Sequence, residues 1–163
     1  MEHIVLSTLA EEFAGFDDPV QWTRLVARLG LAVLLGAAIG YERERHDKSA
    51  GLRTHMLVAL GSALFVFVSD QIGLSGEGMS RVLQGVIAGI GFLGAGTVLK
   101  LHDKGHVRGL TTAAGIWATS AIGVCAGLGR EVIAIAATVL VLVILALLLQ
   151  WENNDPRLAE DDE

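Results

Sequence analysis

The chain has 163 residues, of which 52% are hydrophobic and only 18% charged, a balance too apolar for an ordinary soluble domain of this length. Its formal charge of -6 comes largely from two acidic ends, EEFAGFDD and ENNDPRLAEDDE, and argues against nucleic acid, whose binding rests on basic surface. The one cysteine, Cys125, excludes an intramolecular disulfide.

Residues 1–18 lack the basic start and small-residue cleavage site of a signal peptide and read as an acidic N-terminal segment. Five apolar runs of membrane-crossing length follow, at about 19–41, 54–73, 82–100, 110–128 and 131–150, and residues 151–163 form an acidic tail. A soluble bundle would need a polar face on each helix, and the spans after Arg81 show no polar stripe. The expected fold is therefore an all-α membrane protein, a bundle of five transmembrane helices.

Asp18 and Pro19 are a good start for span one, since Asp caps free amides and proline suits the first turn. Trp22 and Tyr41 would mark its two interfaces, as Trp151 would mark the end of span five. Arg28, about two turns deep, needs a partner within the protein. The gap after span one carries Arg43, Arg45, Lys48 and Arg53, and the gap after span three carries Lys100, Lys104 and Arg108. The other two gaps hold only Arg81 and Arg130. Short basic loops stay inside, which predicts an outer N-terminus and a cytoplasmic C-terminus.

In that first basic gap, Glu42 lies at the membrane boundary, and Arg53, Thr54 and His55 open span two. Thr54 is expected to cap that helix. Its N-terminus with an arginine fork suits an anion or a partner's carboxylate; equally, Arg53 suits an internal ion pair with Glu42. Arg43, Arg45 and Lys48 are expected mainly to hold the loop inside. Arg108, Thr111 and Thr112 at the start of span four make a second polar entry on the same face. Thr111 and Thr112 also suit bonds back to their own helix. Asp70, near the outer end of span two with Gln84 close to the outer end of span three, is a lone and weak magnesium candidate. His3, His46, His102 and His106 have no partners at zinc-ligand spacing.

Small residues four apart let helix backbones approach in lipid. Gly36 and Gly40 in span one, Gly85 and Gly89 in span three, and Gly115, Thr119, Gly123 and Gly127 in span four follow that spacing. Spans one, three and four are thus expected to form the packed interior, with the uncharged fifth facing lipid. GIGFLGAG, which includes Gly91, Gly94 and Gly96, reads either as close packing or as a break in its helix. HDKSAGLRT and HDKGHVRGLTT form a short echo between the two basic gaps, as expected of a parallel repeat or of chance.

Three segments, ERERHDKSAGLRTHMLVALGSALF, GIGFLGAGTVLK and VRGLTTAAGIWATSAIGVCAGLG, resemble in order and spacing the signatures of the MgtC/SapB family of bacterial inner-membrane proteins. The resemblance implies a five-span, multi-pass inner-membrane protein with its C-terminus inside, linked to growth under low magnesium. It places an acidic residue at the position of Glu42. Longer members carry a cytoplasmic ACT-like domain after the fifth span, where this sequence continues only with ENNDPRLAEDDE, as in a short form. No nucleophile elbow, phosphate loop or paired-acid arrangement points to an enzyme, and no motif to a cofactor. The expected role is a regulator or accessory factor, with the lipid bilayer, other membrane proteins and a second copy as partners. The alternative is a transporter of magnesium or another solute.

Overall fold

The computed structural model describes residues 1–12, 18–100 and 109–154, without the side chains of Glu2, Leu99, Lys100 and 148–154. The described residues form six helices: α1 (Glu2–Glu12), α2 (Pro19–Arg45), α3 (Leu52–Gln71), α4 (Glu77–Lys100), α5 (Leu110–Gly127) and α6 (Glu131–Asn154). α1, exposed in its described side chains, lies in the segment that the sequence marks as an acidic N-terminal stretch. Among the described residues, α2 to α5 are each long and apolar enough to cross a membrane, and α6 is apolar over Glu131–Leu147.

α2 starts where expected: the Val20 amide donates to the Asp18 carboxylate at 2.9 Å, with Pro19 in the first turn. It ends four residues beyond Tyr41 because polar groups inside the loop terminate it. His46 Nδ1 stands 2.7 Å from the Glu42 carbonyl oxygen, the amides of His46 and Lys48 return to Arg43, and Asp47 takes a positive φ of 51°.

α3 corrects an expectation about its cap. Its N-cap is Gly51, and the Leu52 amide donates to the Glu44 carboxylate at 2.7 Å. A Cβ on Gly51 would stand 2.7 Å from that carboxylate, the movable end of the Glu44 side chain, which would have to shift to make room. Thr54 lies inside the first turn and is exposed.

The interior also differs from the glycine count. α3 is its centre, packed mainly against α2 and α5. A Cβ on Gly36 would stand 2.6 Å from the His55 carbonyl oxygen, and one on Gly40 2.7 Å from Leu52 Cα. From α5, a Cβ on Gly123 would meet Ala59 Cα at 2.9 Å, and one on Gly127 Ala63 Cα at 2.8 Å. These are backbone-to-backbone contacts, the close approach that small residues permit in lipid. The central helix itself contributes alanines and serines, so counting glycines overlooks it.

Span three, now α4, is correspondingly not interior. Only 6% of its apolar window is buried, against 50% for α5. A Cβ on Gly85, Gly89, Gly91 or Gly96 would meet nothing within 4 Å, and one on Gly94 would make an ordinary 3.6 Å contact with Ala113. α4 runs unbroken through 89–96, so the glycines neither break the helix nor press it into this bundle. α6 exposes most of its surface, as expected of a lipid-facing helix, but buries Ala134, Thr138 and Leu145. Ala134 and Leu145 join Ala32, Ile39, Ala63 and Ile122 in the main core cluster.

Candidate functional site

Two polar ends and a buried seam organise the bundle. At the end carrying the α2–α3 loop, Arg43 is only 2% exposed, although the sequence assigns it chiefly to holding the loop. Its Nη2 donates to Glu42 Oε1 at 2.8 Å and its Nε to the other carboxylate oxygen, a two-point contact that arginine's planar fork allows. His46 Nδ1 lies 3.3 Å from Glu42 Oε1. Of the two alternatives open for Arg53, the internal pair with Glu42 is not formed, because Arg43 and His46 occupy that carboxylate. Arg53 is exposed and makes no ion pair among the described residues.

His55 lies entirely inside. Its Nδ1 is 2.9 Å from the Gly51 carbonyl oxygen, which can only accept, so the proton resides on Nδ1. Its Nε2 is buried without a partner and faces α5, where a Cβ on Gly115 would stand 3.6 Å away. Thr112 is buried at the start of α5, and the Ser49 hydroxyl approaches its own at 3.5 Å. Farther along, the hydroxyls of Ser62 and Ser120 meet at 2.7 Å, and Thr119 donates to the Gly115 carbonyl at 2.8 Å.

The opposite end meets the demand that Arg28 have a partner. Arg28 Nη1 lies 3.3 Å from the Asp70 carboxylate and 3.1 Å from the Gly127 carbonyl, with the guanidinium 5.8 Å from the Phe67 ring centroid. One arginine thereby joins α2, α3 and the end of α5. Asp70 is engaged by this cation, and no group of three His, Cys, Asp or Glu positioned for a metal occurs among the described residues.

The proposed polar surface therefore divides. Glu42, His55 and Thr112 lie at the inner seam, whereas Arg53, Thr54 and Thr111 are exposed; Arg108 lies outside the described residues, as do His102 and His106. Sequence reasoning passed over Arg43, Glu44 and the Ser62–Ser120 pair. A usable signal existed: Gly36, Gly40 and Arg43 recur at helical spacing on the face of α2 turned to α3.

The MgtC family model matches residues 29–154. The chain is 44% identical over 136 residues to Protein SrpB of Synechococcus elongatus, covering 77% of this chain and 75% of that protein. It is 42% identical over 132 residues to the Escherichia coli K12 protein named "Putative magnesium transporter YhiD", covering 77% of this chain and 60% of that one. It is 40% identical over 141 residues to Protein MgtC of Salmonella typhimurium LT2, covering 85% of this chain and 59% of that protein. The chain thus spans well under two thirds of the length of the latter two. No solved structure matches it.

Proposed function

The chain belongs to the MgtC family, and from that premise we propose that it is a non-enzymatic regulator or accessory factor of other membrane proteins, acting under magnesium limitation. The observation that carries this reading is the backbone contact of Gly36, Gly123 and Gly127 with α3. It presses shut the seam in which Ser62 and Ser120 pair across α3 and α5. Arg28 and Asp70 clamp one end, while Arg43 and Glu42 pair at the other. A solute path needs a wet cavity lined by such groups.

The proposal includes five spans, α2 to α6, in a bacterial inner membrane, with the N-terminus outside and the C-terminus in the cytoplasm. The crowding of Arg43, Arg45, Lys48 and Arg53 at one end of the bundle supports this orientation. The exposed Arg53, Thr54 and Thr111, with Arg108, would then form the cytoplasmic face offered to partners. The competing reading, magnesium transport, draws on the name of the Escherichia coli relative. Liposomes holding only this protein and an enclosed magnesium indicator separate the two. The regulator reading expects uptake equal to that of empty liposomes. Saturable uptake removed by Asp70→Asn would establish transport instead.

A further inference from the structure

α4 leans on α5 and stands away from α3, leaving a groove of about 630 Å³ between them. Its walls are Leu57, Val58 and Phe65 on one side and Val86, Gly89 and Ile90 on the other. Toward the α2–α3 loop it meets, at Leu93, a second hollow of about 360 Å³ bordered by the hydroxyl residues Ser49, Thr54 and Thr97. The two hollows share Leu93; the first is lined by hydrocarbon along the span, and the second adds three hydroxyl residues toward the loop. The exposed Arg53 lies one helical turn before Leu57 and next to Thr54, which line the two hollows. No carboxylate among the described residues pairs with Arg53, and Lys48 is exposed nearby in sequence.

We propose that this cleft holds an anionic phospholipid of the leaflet next to the α2–α3 loop. Its acyl chain lies along Leu57 to Leu93, and its phosphate reaches the hydroxyls of Ser49, Thr54 and Thr97 with Arg53 as counter-charge. Lining and charge favour an anionic lipid: an apolar groove suited to a hydrocarbon chain adjoins hydroxyl groups and a guanidinium that has no ion pair among the described residues. The glycines follow from the same geometry: Gly61, Gly85 and Gly89 border the groove, and a Cβ on any of them would meet nothing within 4 Å. They keep the groove open. The inference depends on membrane embedding and is independent of whether the protein regulates or transports.

The test is mass spectrometry of the intact full chain released from non-ionic detergent with equal phosphatidylglycerol and phosphatidylcholine. The parent should retain one phosphatidylglycerol, favoured about fivefold, the effect of one arginine beside an anionic headgroup. Gly85→Leu with Gly89→Leu should abolish retention of both lipids, and Gly61→Leu, from the opposite wall, should do the same. Arg53→Ala should keep a lipid but erase the preference. Gly91→Leu, where an added Cβ also meets nothing within 4 Å and which lines neither hollow, should behave as the parent. Equal retention of the two lipids by the parent, or phosphatidylglycerol retained by both groove variants, would overturn the proposal. So would a dimer mass that the groove variants abolish, because a second copy would then be the occupant.

Discussion

Arg43 shows how an arginine in a basic membrane loop can serve two roles. Its charge counts toward the inward bias of the loop, yet its side chain is buried against Glu42. Removing one partner of a buried pair strands the other, at a typical cost of ~3 kcal/mol. Arg43→Ala should therefore lower the thermal midpoint in detergent markedly, while Arg53→Ala, at an exposed position without an ion pair, should leave it almost unchanged. Arg43→Lys should fall between them, because an ammonium keeps the charge but cannot make the two-point contact. Equal midpoints for Arg43→Ala and Arg53→Ala would show that the burial of Arg43 contributes nothing. The sequence singled out Glu42 and His55, but not the groups that the structure places beside them. Arg53 is also a good fork for Glu42 on paper; choosing Arg43 requires knowing that the latter points into the bundle.

At the scale of the helix, the same glycine spacing has opposite consequences on α5 and α4. Gly123 faces the Ala59 backbone, so Gly123→Leu must push α3 and α5 apart and should cost about 3 kcal/mol, the upper end for overpacking. A Cβ added at Gly89 meets nothing within 4 Å, so Gly89→Leu, its side chain directed into the open groove, should change folding stability by no more than ~0.5 kcal/mol. Folded yield and thermal midpoint in detergent compare the two directly, and equal losses would place α4 in the interior after all. The helices themselves were readable, because long apolar runs punctuated by charge have few alternatives in lipid. Which helix lies at the centre was not. Close approach requires glycine on only one partner, and α3 receives its neighbours through Ala59 and Ala63, which no glycine count marks.

For the whole molecule, the proposed orientation follows from basic residues gathered at one end of the bundle. A fluorescent protein fused after Glu163 should mature and glow, while alkaline phosphatase inserted at Gly76, between α3 and α4, should be active. Reversal of both signals would invert the proposed arrangement. In the bundle interior the Ser62 and Ser120 hydroxyls satisfy each other across α3 and α5. A transporter must part such a seam during its cycle; a regulator built on a fixed bundle need not.

That closed seam is the central claim, and crosslinking across it is its most direct test. In a Cys125→Ala background, Ser62→Cys with Ser120→Cys places two thiols where hydroxyls now stand 2.7 Å apart. Mild oxidation of native membranes should join them rapidly, to the same extent with and without magnesium. Failure to crosslink in folded protein, or crosslinking that falls when magnesium is added, would contradict a permanently closed bundle.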